Sequence, residues 1–136
     1  MSYYAKMLER ISADPLQKAA YDTEDSTVVI AGPGSGKTTI LTLKIMKLLN
    51  QYITEPQGLA CLTFSKEAAR EFKDRLKKLG YAERRNVFLG TVHSFCISEI
   101  LNNFAELYDY GVSLPIKVLP KELEKQIYNN VLKYLT

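Results

Sequence analysis

The segment AGPGSGKT, residues 31–38, combines three glycines with a lysine and a threonine in one short loop. Glycine tolerates positive φ, so we expect Gly32, Gly34 and Gly36 to turn backbone N–H groups toward the inside of the loop. A helix beginning near Lys37 would add the positive end of its dipole, which favours an anion. The pattern matches G-x-x-x-x-G-K-[ST] except for alanine at its first position. It predicts a phosphate-binding loop rather than a plain glycine turn.

Two side chains of this loop are suited to act on a bound phosphate chain. The Lys37 ammonium can reach the β and γ phosphates of a nucleotide, and the Thr38 hydroxyl can ligate Mg²⁺. Phosphate binding alone leaves kinases, GTPases and motor ATPases open as function classes. The rest of the chain must therefore separate them.

Three short apolar runs alternate with three helical patterns along the chain. Continuous apolar character is typical of parallel strands that are buried on both faces, so we predict an α/β fold with a parallel sheet. Ligands bind at the carboxyl ends of such strands, and we expect the loops that follow the three strands to share one edge. The predicted strands are 27–31, 58–64 and 86–90, and the predicted helices are roughly 37–51, 66–79, 91–107 and a last one from Pro120.

The composition fits one globular domain, or one domain plus the start of another. The chain has 136 residues, 46% of them hydrophobic and 24% charged, with a net charge of +3 that permits a nucleic-acid partner without arguing for one. Its first residues lack the apolar region of a secretory signal, and its longest apolar stretch is too short to span a bilayer. Cys61 and Cys96 lack metal-ligand spacing and fit core positions of a protein in a reducing cytoplasm, where we expect this chain.

Four segments together resemble superfamily 1 DNA helicases of the UvrD/Rep type. The glycine loop resembles motif I of that family, and LTFSKEAAREF (62–72) resembles motif Ia. GTVHSF (90–95) resembles motif Ib, and DPLQKAA (14–20) resembles the glutamine motif. Their order and approximate spacing agree with the family, and the resemblance covers roughly residues 11–135.

The resemblance implies a RecA-like P-loop NTPase fold and an ATP-dependent helicase. Residues 1–110 would be the N-terminal part of the ATP-binding domain, and residues 111–136 would begin a helical insertion. ATP and Mg²⁺ would be the cofactors, and single-stranded or partly duplex DNA would be the substrate, unwound in the 3′-to-5′ direction. The remainder of a longer chain, including a second RecA-like domain, would be the partner, and no membrane is involved.

The resemblance also implies the residues of two sites. Lys37 would be catalytic and Thr38 would ligate the metal. The nucleotide-binding residues would be Gln17, Ala31, Gly32, Pro33, Gly34, Ser35, Gly36, Lys37, Thr38 and Thr39. The DNA-binding residues would be Thr63, Phe64, Ser65, Lys66, Thr91 and His93. The sequence departs from the family at Lys66 and Glu67, where Asn-Lys is usual, at Val92, where phenylalanine is usual, and at Thr39, where many members have arginine.

Several of these positions also have a local explanation. Gln17 follows Asp14 at the spacing of a helix capping box, and Ser65 fits a helix N-cap. Phe64 ends a predicted buried strand, where a phenylalanine is usually part of the core. His93 fits a structural hydrogen-bonding residue, and the mixed charges of residues 73–85 fit a solvated helix face.

The sequence lacks the carboxylates that hydrolysis requires after an apolar strand, and the D-E-x-Q motif of the family is absent. We therefore expect these residues alone to bind nucleotide weakly without turnover, as a piece of a longer enzyme. The alternatives are a helicase–nuclease of the RecB/AddA kind, a small P-loop phosphotransferase that acts on a metabolite, and a non-catalytic nucleotide-binding module.

Overall fold

The computed structural model describes residues 2–109, 111, 113–116 and 118–135. The chain divides into two compact units, Met1–Phe95 and Cys96–Thr136. The elements of the first unit are α1 (Tyr3–Ser12), α2 (Pro15–Asp22), α3 (Lys37–Gln51), β1 (Leu59–Thr63), α4 (Lys66–Lys78), β2 (Val87–Thr91) and α5 (Val92–Phe95). Those of the second are a π-helical segment (Cys96–Leu101), α6 (Asn102–Phe104) and α7 (Lys121–Leu135). The assignment of residues 111–136 to a helical insertion stays a prediction.

The sheet contains two parallel strands. β1 and β2 pair in register from Leu59 opposite Val87 to Thr63 opposite Thr91, and α4 connects them. Both strands lie within the ranges predicted from their apolar runs, apart from the last residue of β2. The parallel pairing confirms an α/β connection of the predicted kind.

The strand predicted at 27–31 is wrong. These residues form neither helix nor strand, and Ile30 is 93% exposed. A strand requires a neighbour that accepts and donates its backbone hydrogen bonds, and within the described residues β1 and β2 pair only with each other. The β-branched apolar character of the segment is therefore not sufficient to place it in the sheet.

Helix prediction is most accurate for α3 and α4. The bounds of α3 are the predicted 37–51, and α4 ends one residue before the predicted end, followed by Gly80 at φ +92°. The predicted helix 91–107 is instead divided, since α5 leads into the π-helical segment and then α6. The helix α1 was not predicted.

The core of the first unit lies on both sides of α3. One cluster joins α3 and α4 to β1, and the other joins α3 to α1 and α2. Cys61 is buried in the first cluster, as predicted, whereas Cys96 in the second unit is half-buried. Leu76 of α4 is fully buried in the first cluster, and Leu43 of α3 is fully buried in the second. Across the described ranges, every helix is too short or too polar to cross a membrane.

Candidate functional site

The glycine loop adopts left-handed backbone conformations at two of its three glycines. Gly34 has φ +77° and Gly36 has φ +83°, whereas Gly32 lies outside this region, contrary to the prediction for all three. Gly36 directly precedes α3, and among the described residues no side chain caps that helix. The first N–H groups of a helix have no partner within the helix, so this end of α3 is available to an anion.

The Lys37 side chain lies against the glycine loop that precedes it. Its Nζ donates hydrogen bonds to the carbonyl oxygens of Ala31 and Gly32, both at 2.6 Å, and lies 3.4 Å from the Ser35 Oγ. These contacts are on the exposed surface of the loop. The ammonium is therefore held by neutral oxygen atoms, which an anionic group would replace as partners with a stronger interaction.

Gln17 contacts the glycine loop. Asp14 caps α2, since its Oδ1 accepts hydrogen bonds from the N–H groups of Leu16 and Gln17. The Gln17 side chain does not complete the expected capping box with a hydrogen bond back to Asp14. Its Nε2 instead donates to the carbonyl oxygen of Ser35 at 3.3 Å, and it lies 3.6 Å from where a Cβ on Gly36 would be. The structure thus places Gln17 beside the predicted phosphate loop.

An open cavity of about 380 Å³ lies beside the glycine loop. Three cationic side chains line it, and no carboxylate is among its lining residues in the described part of the chain. Arg75 of α4 is one of the three, and it forms an ion pair with Glu71 at 2.6 Å. The lining residues are Met7, Arg10, Ile11, Gln17, Gly34, Ser35, Gly36, Lys37, Thr38, Thr39 and Arg75. Their charges make the cavity suitable for an anionic ligand.

The residues that follow β1 and β2 form a second group, which we call the strand-edge surface: Thr63–Lys66 and Thr91–His93. Thr63 lies opposite Thr91 in the sheet, so both segments leave the sheet at the same edge. The Thr63 Oγ1 lies 3.0 Å from the Ser65 carbonyl oxygen and 3.4 Å from that of Gly90, and links the two segments.

Phe64 is the exposed aromatic residue of the strand-edge surface. Its side chain is 91% exposed, so the alternative that it belongs to the core is wrong. An exposed phenylalanine at this level contributes little to packing and leaves its ring available to a partner. Lys66 and His93 are exposed on the same surface.

Ser65 and Thr91 have local hydrogen-bonding roles. The Ser65 Oγ accepts a hydrogen bond from the N–H of Ala68 at 3.1 Å and caps α4, which confirms the local explanation. The buried Thr91 and the exposed Ser94 bond reciprocally, since each side-chain oxygen accepts from the backbone N–H of the other residue. These hydroxyls hold the backbone of the strand-edge surface in place.

The prediction that three loops share one edge is confirmed for two of them. The cavity at the glycine loop is lined by none of the strand-edge residues, and its contact with α4 is through Arg75 in the second half of that helix. The glycine loop follows residues 27–31, and it would reach the sheet edge only if those residues formed a paired strand. They form no strand, so the prediction fails for this loop.

Arg10 and Arg75 are cavity residues that the sequence reasoning missed. Arg10 belongs to α1, which has a signal in the sequence: Tyr4, Met7, Leu8 and Ile11 follow helical spacing and pack in the second core cluster. Arg75 lies within residues 73–85, whose mixed charges predicted a solvated helix face, and it is exposed and pairs with Glu71. Periodicity does not indicate which surface cations face a distant loop. No cluster of three or more histidine, cysteine, aspartate or glutamate side chains that could hold a metal ion is found in the described ranges.

A parallel strand pair connected by a helix, with a glycine loop that opens into another helix, defines an α/β protein. The sequence matches the UvrD/REP helicase N-terminal domain over residues 13–133. It is 33% identical over 116 residues to the ATP-dependent DNA helicase PcrA of Staphylococcus aureus and 32% identical over 116 residues to that of Staphylococcus epidermidis. Each match covers 85% of this chain and 16% of the relative, so the chain spans about a sixth of their length.

The chain therefore belongs to the UvrD/REP helicase family, and the resemblance seen in its motifs is confirmed. Membership in this family does not favour the alternative of a small metabolite phosphotransferase. The individual site residues stay predictions, and they enter the proposal that follows.

Proposed function

We propose that this chain contributes the nucleotide loop and part of the DNA-binding surface of an ATP-dependent DNA helicase. The observation that supports this most strongly is the glycine loop, where two left-handed glycines lead directly into Lys37 and the uncapped start of α3. Family membership supports ATP as the ligand of that loop, because the relatives are named ATP-dependent DNA helicases.

The phosphates of ATP would bind the backbone of Gly34–Thr38. The Lys37 ammonium would exchange the carbonyl oxygens of Ala31 and Gly32 for the γ-phosphate, a charged partner. The exposed Thr38 hydroxyl would ligate Mg²⁺, whose charge offsets that of the phosphates. The cationic lining of the cavity fits the phosphates, and among the described residues it includes no carboxylate that would repel them.

Gln17 would recognise the adenine. Its amide can both donate and accept hydrogen bonds, as the edge of adenine requires. One N–H of its Nε2 is used by the Ser35 carbonyl oxygen, which fixes the side chain beside the loop. The second N–H and the Oε1 remain for the base.

Single-stranded DNA would bind the strand-edge surface. The Phe64 ring would stack on a base, and the exposed Lys66 and His93 would contact phosphates without reading sequence. Thr63, Ser65 and Thr91 would act mainly by fixing the backbone, since their hydroxyls already bond within the surface.

In a full-length protein, closure of two RecA-like domains around ATP would move the strand across Phe64 in the 3′-to-5′ direction. The carboxylates and arginines for hydrolysis would lie in parts of the enzyme beyond this sequence.

Titration of the 136-residue chain with Mg·ATP tests the nucleotide site. Lys37→Ala should weaken binding by roughly 10- to 100-fold, the effect of losing a hydrogen bond to a charged group. Lys18→Ala is the matched control, because Lys18 is exposed, forms an ion pair with Asp22 and lies outside the cavity. Equal affinities of the wild type and the Lys37 variant would refute the site, and rapid ATP turnover would refute the location of the hydrolytic residues elsewhere.

A further inference from the structure

Arg10 differs from the other cations of the nucleotide cavity in its partners. The ammonium of Lys37 bonds to the glycine loop, and the guanidinium of Arg75 pairs with Glu71. Arg10 is exposed, lines the same cavity, and has no hydrogen bond or ion pair to any residue in the described ranges. It is therefore the cavity cation whose bonding capacity is unused.

The fold fixes where Arg10 lies. It occupies the last turn of α1, and Ile11 beside it is buried against α3 in the second core cluster. Met7, one turn earlier, also lines the cavity. The end of α1 is thus held against the helix that begins at the glycine loop, so the position of Arg10 relative to that loop is set by core packing.

We infer that Arg10 binds the phosphate chain of the nucleotide, as a second cation beside Lys37. This inference rests on the proposed nucleotide site and adds a residue outside the glycine loop to it. A guanidinium presents paired N–H donors in a plane, which match two oxygens of a phosphate. A lysine at the loop and an arginine at the end of α1 would then hold the polyphosphate from two elements.

A structural role for Arg10 is the competing explanation. A cation in the last turn of a helix interacts favourably with the helix dipole, and Arg10 is the basic residue of that turn. Loss of that interaction would lower thermal stability without selecting among ligands. Ligand affinity therefore separates the two roles, provided that it is measured both for a nucleotide and for a polyphosphate that lacks the nucleoside.

The test measures Mg·ATP and inorganic tripolyphosphate affinities of the 136-residue chain by calorimetry, for the wild type, Arg10→Gln and Lys6→Gln. Lys6 is exposed on the same helix, carries the same charge and does not line the cavity. Arg10→Gln should weaken both ligands by about tenfold, as expected for a lost charge-assisted phosphate contact, whereas Lys6→Gln should leave both unchanged. Arg10→Lys should retain part of the affinity and serves if the glutamine variant does not fold.

Unchanged affinity in both Arg10 variants would overturn the inference. Weaker ATP binding with unchanged tripolyphosphate binding would also overturn it, because Arg10 would then contact the nucleoside. A wild-type chain that binds neither ligand would refute the proposed site itself, and the inference with it. Lys37→Ala separates failure of the inference from failure of the proposed site. Its effect on ATP affinity tests the glycine loop independently of Arg10.

Discussion

Phe64→Ala should weaken binding of single-stranded DNA and leave the stability of the chain unchanged. The side chain is 91% exposed, so its truncation removes almost no packing from the core. Substitutions at such surface positions change the free energy of unfolding by no more than about 0.5 kcal/mol. The same exposure leaves nearly the whole ring available to a base, because Phe64 directly follows β1 at the strand-edge surface.

The size of the effect follows from base stacking. A base stacked on an aromatic side chain contributes about 1–3 kcal/mol by alanine substitution. This corresponds to a rise of roughly five- to 150-fold in the dissociation constant. The effect should be similar for different base sequences, because every base has a face that can stack.

Two control variants make the same kind of change elsewhere. Phe72→Ala removes a ring that is 5% exposed in the first core cluster, and it should lower the free energy of unfolding by about 3–5 kcal/mol. Tyr134→Ala removes another side chain that is 91% exposed, on α7 of the second unit, and should change neither stability nor DNA affinity.

The assay combines fluorescence anisotropy of a labelled oligothymidylate with urea unfolding of each variant. A Phe64→Ala chain that binds the oligonucleotide as tightly as the wild type would refute the stacking role. If Tyr134→Ala weakened oligonucleotide binding equally, exposed aromatic residues would bind DNA nonspecifically. The strand-edge surface would then not be a specific DNA-binding site.

Four further predictions follow from particular residues. Gly36→Ala forces φ +83° on an alanine, which costs about 1–2 kcal/mol, and calorimetry should show weaker Mg·ATP binding. Gly90→Ala places a Cβ 2.9 Å from the ring of Phe88, and it should lower the free energy of unfolding, measured with urea, by about 1–3 kcal/mol. Burial raises the pKa of the Cys61 thiol, so a thiol reagent should label Cys96 first. The Cys61 contribution to stability should be complete below the unfolded thiol pKa of about 8.5 and decline as pH rises through the higher folded value.

Local signals predicted the elements whose boundaries are set within the sequence. Helix α3 begins where Gly36 adopts a left-handed conformation, and α4 ends just before Gly80 does the same. Ser65 marks the start of α4 through its side chain. Glycine and serine act on neighbouring backbone groups, so these boundaries do not depend on the rest of the fold.

Features that depend on distant partners could not be predicted from the residues. The segment 27–31 has strand-like residues and no strand, because strand formation depends on a neighbour. Phe64 ends an apolar run and is nevertheless exposed, because the buried residue that β1 contributes to the core cluster is Cys61. Arg10 lines the nucleotide cavity because Ile11 packs against α3, a contact between elements that periodicity alone does not reveal.

Amide chemical shifts of the isotope-labelled chain, recorded during titration first with Mg·ATP and then with oligothymidylate, test the central claim most directly. ATP should shift the amides of Gly34–Thr38, and the oligonucleotide should shift those of Phe64–Lys66 and His93. An unchanged glycine loop in the presence of ATP would contradict the proposed nucleotide site. Oligonucleotide-induced shifts in residues 73–85 with Phe64 unchanged would contradict the proposed DNA site.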